Sequence, residues 1–145
     1  MNSIRRALVA ALMLTLVKPL SALAAWNKEA FGAKSAGDAL KNLGVGNATP
    51  TAELSVEVPQ IAENGAVVPI EISSAIPGTT ALIVVIDKNP FPLISRFDFK
   101  EGALPFVKVN VKMSETSDIR VLAEAAGRYY VTTREVKVTI GGCGG

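Results

Sequence analysis

Short runs of alternating apolar and polar residues, separated by turn signals, occupy residues 51–140 and constrain the fold more than any other feature. In residues 54–58 every second side chain is apolar. Successive side chains of a strand point to opposite faces, so this period predicts strands with one buried face. Residues 81–86 are apolar throughout, which is typical of a strand covered on both faces. The predicted strands are residues 54–58, 66–73, 81–86, 93–99, 107–113, 119–125 and 129–140.

Turn-forming residues punctuate these runs at close intervals. Asn64 and Gly65 both tolerate positive φ, so they predict a tight hairpin between the first two strands. Pro69 has no backbone N–H to donate, which predicts an edge position or a bulge for its strand. About seven short strands with no helices between them indicate an all-β fold, an antiparallel β-sandwich that is immunoglobulin-like in outline.

Residues 25–50 follow a different pattern and predict one short helix and a linker before the sandwich. Ser35 and Asp38 resemble a capping box with Asp in place of Glu. Apolar residues then recur at helical spacing, and Gly44 supplies the stop. A disordered N-terminal segment is the alternative interpretation.

Residues 1–24 have the parts of a cleaved secretory signal peptide, with cleavage expected just before Ala25. A positive start at Arg5 and Arg6 precedes an apolar run over residues 7–17, and the segment ends in the small-residue signature Ala-Leu-Ala. Eleven residues of helix span about 16 Å, far short of a hydrocarbon core of about 30 Å, which argues against a membrane anchor. The sequence therefore predicts a periplasmic protein with no membrane contact in its mature form. The twin-arginine pattern is partial, so that route and the general secretory route both stay open.

The charge of the mature chain gives no reason to expect nucleic acid as a partner. The whole chain has a formal net charge of +2, but the leader contributes Arg5, Arg6 and Lys18 and no acid. Its removal leaves 12 basic and 13 acidic side chains, a net charge of −1. No basic patch remains that would favour nucleic acid or an anionic membrane surface.

The chain has no His and a single Cys, and this excludes several classes of enzyme. A Ser-His-Asp triad, a Cys-His dyad and a zinc site of Cys and His ligands are all impossible within it. An intramolecular disulfide and a dithiol redox centre are excluded as well. We therefore predict no catalytic residue, no metal and no cofactor, and a chemistry that rests on one thiol.

That thiol lies in the terminal segment, residues 141–145, where Cys143 is flanked by Gly141, Gly142, Gly144 and Gly145. Glycine segments are flexible and offer no side chains to bury, so this pattern predicts a swinging arm. Three extended residues beyond the last strand let the sulfur travel about 10 Å, enough to enter a narrow pocket on another protein. A buried Cys and an intermolecular disulfide are the alternatives. No cation adjoins Cys143 in sequence, so we expect partners to activate the thiol.

From about residue 52 to the end, the sequence resembles the SoxY family, the carrier proteins of bacterial thiosulfate oxidation. The segments that carry the resemblance are residues 61–69, 88–93, 112–117, 135–139 and the closing 141–145. The terminal pentapeptide at the chain end is the most specific of them. An exported chain agrees with this resemblance.

The resemblance implies that the chain is a covalent substrate carrier in a multienzyme pathway rather than an enzyme. Cys143 would hold thiosulfate, joined to it oxidatively by a SoxAX-like haem enzyme. A SoxB-like hydrolase would release sulfate, and a sulfane dehydrogenase would oxidise the remaining sulfur. A SoxZ-like β-sandwich subunit would form a heterodimer with this chain.

The residues also suggest two other functions. A β-grasp sulfur carrier would use Gly144 and Gly145 as a terminal thiocarboxylate, which needs ATP, whereas the leader takes the chain out of the cytoplasm. A secreted interaction protein would dimerise through Cys143. Four aromatic residues are interpreted mainly as core rather than as a partner face (Phe91, Phe97, Phe99 and Tyr130). Asn89-Pro90 and Glu63-Asn64 are interpreted as turn residues.

Overall fold

The computed structural model describes residues 26–139, in which two short helices precede two β-sheets. The helices are α1 (Lys28–Gly32) and α2 (Ala36–Asn42). The strands are β1 (Ala48–Pro50), β2 (Leu54–Glu57), β3 (Ile61–Ala62), β4 (Val68–Ser74), β5 (Thr79–Ile86), β6 (Leu93–Asp98), β7 (Phe106–Val111), β8 (Ser117–Ala125) and β9 (Arg128–Val138). The predicted signal peptide, residues 1–24, lies outside the described residues, as does the predicted arm, residues 141–145.

The two sheets face each other and confirm the predicted all-β sandwich. The larger sheet has the order β1-β9-β8-β5-β6, with β3 also paired to β9, and the smaller sheet has the order β2-β4-β7. The main core of the sandwich lies between the two sheets, where Leu82 and Val84 of β5 pack with Ile70 and Ile72 of β4. Removing such side chains from water contributes about 1.5–3 kcal/mol each.

Strand β5 is buried on both faces, as its continuous apolar run predicts. Its alternate residues Ile83 and Val85 point away from the main core into a second cluster, which the two helices cover. Ala30 of α1 and Ala39 of α2 are fully buried in that cluster. The helices therefore form a third layer on the outer face of the larger sheet.

Helix α2 begins as its capping box predicts, whereas α1 was not expected. Ser35 Oγ accepts from Asp38 N at 3.0 Å. Helix α1 is five residues long with one buried side chain, Ala30, so it has no apolar period to detect. Its sequence signal is the N-cap Asn27, whose Oδ1 accepts from Ala30 N at 2.9 Å.

Residues 26–139 form nine strands, where the sequence predicts about seven. The additional strands, β1 and β3, contain three and two residues, too few to show a two-residue period. Both pair parallel to β9, along the edge that β8 leaves open. The sandwich is thus antiparallel with two short parallel pairings added to its longest strand.

The predicted tight hairpin at Asn64 and Gly65 is wrong in detail. Strands β2 and β4 do pair antiparallel, with Glu57 opposite Glu71, but the chain between them first crosses to the larger sheet as β3. Asn64 and Gly65 lie instead in a turn closed by Val67 N donating to Asn64 O at 3.3 Å. The pattern revealed a turn, but not the strand inserted before it.

The prediction that the strand containing Pro69 lies at an edge or carries a bulge also needs correction. Strand β4 is the central strand of the smaller sheet and pairs with β7 in a regular register through Pro69. Strand β2 pairs only with residues 71–74 of β4. Pro69 therefore lies beyond the end of β2, where its missing N–H leaves no β2 partner unsatisfied.

Three loops and the end of β9 meet at one end of the sandwich, which we name the exit end because the chain continues from there to residue 145. The exit end comprises residues 63–67, 87–92, 112–116 and 137–139. The opposite end, the far end, comprises residues 75–78, 99–105 and 126–127. Within residues 26–139, no helix has the length and apolar character that crossing a bilayer requires.

Candidate functional site

All five predicted site residues lie outside the described part of the chain: Cys143 and its neighbours Gly141, Gly142, Gly144 and Gly145. Thr139 is the last described residue and precedes Cys143 by four positions. The exit end, where the chain leaves the sandwich, is therefore the part of the site that the structure describes.

Hydrogen bonds on both sides hold the last residues of β9. Thr139 N donates to Ala62 O of β3 at 3.1 Å. On the other side, Val138 N donates to Thr116 Oγ1 at 2.9 Å. Each such bond contributes about 0.5–1.5 kcal/mol. The point from which the chain continues toward Cys143 is consequently fixed relative to the sandwich.

Gly65 packs against the two neighbouring parts of the exit end. Its carbonyl oxygen accepts from Met113 N at 2.7 Å. A Cβ at position 65 would lie 2.5 Å from the Met113 carbonyl oxygen and 2.9 Å from Val138 Cγ1. Side-chain carbons do not approach backbone oxygen so closely, so the contact between these loops requires glycine.

Asn89 joins the loop between β5 and β6 to the loop between β7 and β8. Its Nδ2 donates to Lys112 O at 2.7 Å, and its Oδ1 accepts from Ser114 N at 2.9 Å. Nearby, Lys88 N donates to Ser117 Oγ at 3.0 Å. One amide side chain therefore satisfies two backbone groups across the gap between loops.

Phe91 is the residue at the exit end whose surroundings differ most from the sequence-based interpretation. Phe97, Phe99 and Tyr130 pack partly buried against the main core, as predicted, but Phe91 is 49% exposed. Lys34 Nζ lies 3.5 Å from the centroid of its ring. Such a cation–π contact at an exposed site contributes about 0.5–1 kcal/mol.

The segments that carry the family resemblance converge at the exit end. Residues 61–69, 88–93, 112–117 and 135–139 are separate in sequence, yet the contacts of Gly65, Asn89 and Thr116 join them. Strand pairing brings these segments together, and local sequence patterns do not predict that they lie close to one another. They surround the point from which the chain continues to Cys143.

A cavity of about 510 Å³ lies near the far end. Within it, an Arg96 amino nitrogen lies 2.8 Å from Glu124 Oε2 and 2.9 Å from Asp98 Oδ1. Partial burial would lower the pKa of Arg96, but the hydrogen bonds and charges of the two carboxylates outweigh it and raise that pKa. Because both carboxylates already pair with the guanidinium, we interpret this group as structural.

The exit end has one exposed charge pair and one that is partly buried. Lys88 Nζ lies 3.8 Å from Glu115 Oε1 with both side chains about 60% exposed, so the pair contributes little. Arg120 pairs with Asp87 at 2.6 Å. No cluster of three or more His, Cys, Asp or Glu suited to a metal occurs among residues 26–139.

Comparisons with known proteins agree with the family resemblance that these segments carry. The family of sulfur oxidation protein SoxY matches the chain over residues 41–143. The solved structure of the sulfur carrier protein SoxY from Chlorobium limicola f thiosulfatophilum is similar at 33% sequence identity and a TM-score of 0.63, covering 70% of this chain and 92% of that one.

Two other solved structures are more distant. An engineered protein shares 15% identity at a TM-score of 0.42, over 61% of this chain and 21% of that one. The bacterial superantigen toxic shock syndrome toxin-1 shares 13% identity at a TM-score of 0.41, over 59% of this chain and 100% of that one. No curated protein sequence matches the chain.

Proposed function

The chain belongs to the SoxY family, and from that premise we propose that Cys143 carries thiosulfate-derived intermediates covalently while partner enzymes convert them to sulfate. The family match extends to residue 143 and so includes the thiol, which is the observation that carries the proposal. Similarity to a solved sulfur carrier protein supports it. The resemblance seen in the sequence is thereby confirmed at the level of the family and of sulfur carriage.

In the first step, the Cys143 thiol and thiosulfate join through a new S–S bond. The product is Cys143–S–S–SO3⁻, and one proton and two electrons are released. A SoxAX-like haem enzyme takes the electrons, because the chain itself offers one thiol and no second redox group.

In the second step, water attacks the terminal sulfone sulfur in a SoxB-like hydrolase. The bond between that sulfur and the outer sulfane sulfur breaks. Sulfate and two protons leave, and the persulfide Cys143–S–S⁻ remains. A sulfane dehydrogenase then oxidises the outer sulfur to Cys143–S–SO3⁻, with three waters supplying oxygen, six protons released and six electrons passing to the dehydrogenase. Hydrolysis of the remaining S–S bond releases a second sulfate and one proton and regenerates the Cys143 thiol.

A covalent tether suits this sequence because it keeps a reactive sulfur species from diffusing away between enzymes. A tethered group also meets each enzyme at high effective concentration. The sandwich supplies a fixed origin for the tether, since Ala62 and Thr116 hold the end of β9 on both sides. Gly141, Gly142, Gly144 and Gly145 are assigned to the flexible arm around the thiol.

We place this carrier in the periplasm after removal of residues 1–24, as a heterodimer with a SoxZ-like β-sandwich subunit. N-terminal sequencing of the exported chain should begin at Ala25. Co-purification of a second small subunit from the periplasm would support the heterodimer, and a carrier isolated alone would contradict it.

Intact-mass spectrometry tests the central proposal. The mature chain is isolated under non-reducing conditions from cells grown with and without thiosulfate. We expect a mass gain of one thiosulfate unit or of sulfane sulfur only in cells given thiosulfate, removed by a reducing agent and absent from Cys143→Ser. Free thiol alone in those cells, together with full growth of the Cys143→Ser strain on thiosulfate, would contradict the proposal.

A further inference from the structure

Three large apolar side chains are exposed around the point where the chain leaves the sandwich. Ile61, Val67 and Phe91 are 58%, 53% and 49% exposed. We call these three residues the apolar collar. Single exposed apolar residues are ordinary on protein surfaces. These three belong to β3, the loop before β4 and the loop between β5 and β6, which border the same end of the sandwich.

The collar residues are held in fixed positions. Ile61 pairs with Lys137 in the parallel ladder between β3 and β9. Val67 N donates to Asn64 O at 3.3 Å, within the loop that Gly65 fastens to Met113. Phe91 lies between two prolines, and Pro92 O accepts from Ile86 N at 2.8 Å. A preformed apolar surface binds without an additional entropy cost of ordering its own backbone.

The length of chain beyond Thr139 limits where a partner can work on Cys143. Four residues reach at most about 14 Å from the end of the described chain. Strand β9 alone, at 11 residues, extends about 36 Å from the far end to the exit end. The thiol therefore stays close to the exit end, and an enzyme that encloses it approaches this end of the sandwich.

The charges around the collar indicate what the partner surface carries. Asp87 is paired with Arg120. Lys88 lies near Glu115. Of the remaining charged residues at or beside this end, Lys112, Lys137 and the Lys34 that lies over Phe91 outnumber Glu63. A complementary surface would be apolar at its centre and carboxylate-rich at its edge.

We propose that the apolar collar is the docking surface for the enzymes that act on Cys143, and that its occupant is the apolar, acid-edged rim of their substrate channels. This inference rests on the proposed carrier function and adds to it the surface by which the arm is delivered. Because successive enzymes need the same end of the sandwich, they bind the carrier one at a time.

The test uses the mature chain, purified with any subunit that accompanies it, with the thiosulfonate preformed on Cys143. Tetrathionate loads it: the thiolate attacks a central sulfur, Cys143–S–S–SO3⁻ forms and thiosulfate leaves. Sulfate release by the purified SoxB-like hydrolase is then measured against carrier concentration. The variants are Phe91→Ser, the double variant Ile61→Ser/Val67→Ser, and the control Leu104→Ser, which changes an apolar residue that is 80% exposed at the far end.

We expect the KM for carrier to rise about tenfold in each collar variant with kcat nearly unchanged, as for loss of a contact residue near the centre of an interface. Leu104→Ser should keep the wild-type KM. The rate at which a small disulfide reagent modifies Cys143 should be the same in all variants, which shows an intact arm.

Equal KM values for the wild type and both collar variants would overturn the docking surface and leave the carrier function standing. A rise for Leu104→Ser as large as for Phe91→Ser would overturn it too. If the hydrolase releases no sulfate even from the loaded wild type, the carrier function fails, and the docking surface fails with it.

Discussion

The backbones of Gly65 and Met113 are in close contact at the exit end, where Met113 N donates to Gly65 O at 2.7 Å. A Cβ on residue 65 would come within 2.5 Å of the Met113 carbonyl oxygen. This contact joins two loops that lie far apart in sequence beside the end of β9.

Gly65→Ala should separate these loops and destabilise the protein. Overpacking of this kind costs about 1–3 kcal/mol. Chemical denaturation should show the loss in the free energy of unfolding. The matched control is Gly46→Ala, because position 46 has open space around it and no positive φ, and it should change stability little. A stable Gly65→Ala variant would mean that the loops rearrange without cost.

Asn89→Ala should weaken the contact between the β5–β6 loop and the β7–β8 loop at the exit end. The variant removes both hydrogen bonds by which Asn89 joins Lys112 O and Ser114 N, at a cost of about 1–3 kcal/mol. Amide hydrogen exchange should speed up at Ser114, whose N–H loses its acceptor. Asn110→Ala, at an exposed position of β7, serves as control and should leave this amide protected. Unchanged exchange at Ser114 in Asn89→Ala would contradict the assignment.

Glu124→Gln should weaken the ionic group near the far end. Arg96 and Glu124 are only 27% and 24% exposed, so their pairing is partly shielded from water. We expect a loss of about 1 kcal/mol in unfolding free energy. The same substitution at Glu71, which pairs with the exposed Lys108, should cost less than about 0.5 kcal/mol. If urea denaturation shows equal losses of unfolding free energy for Glu124→Gln and Glu71→Gln, partial burial does not strengthen the Arg96–Glu124 pair.

Gly142→Pro should slow every enzymatic step on Cys143 if residues 141–145 act as a flexible arm. Proline fixes φ and restricts the residue before it, so fewer conformations deliver the thiol. Turnover by the SoxB-like hydrolase should fall severalfold while a small thiol reagent reacts with Cys143 at the normal rate. Gly145→Ala, beyond the thiol, should be nearly neutral. Full turnover in Gly142→Pro would exclude flexibility as the function of these glycines.

Strand pattern and thiol chemistry could be predicted from the sequence, because each depends on neighbouring residues. The longer strands follow from a two-residue period or, for β5, from a continuous apolar run, and the importance of Cys143 follows from its being the chain's one thiol. Helix α1 and strands β1 and β3 were missed because segments of two to five residues show no period.

Relationships between distant residues could not be predicted in this way. Asn64 and Gly65 suggested a hairpin, but glycine is required at position 65 by Met113 and Val138, which belong to other parts of the chain. The exposure of Phe91 depends on the loop that Asn89 fastens in place. Pairing of strands decides such contacts, and no local pattern encodes it.

The two-sided pairing of β9 has a mechanical consequence. Under the proposed function, an enzyme that takes residues 140–145 into its channel pulls on the C-terminal end of β9. The hydrogen bonds to β8, β1 and β3 run across the strand, so a pull along it loads many of them at once in shear instead of opening them one by one. The sandwich therefore resists a pull along β9 more strongly than a pull across it.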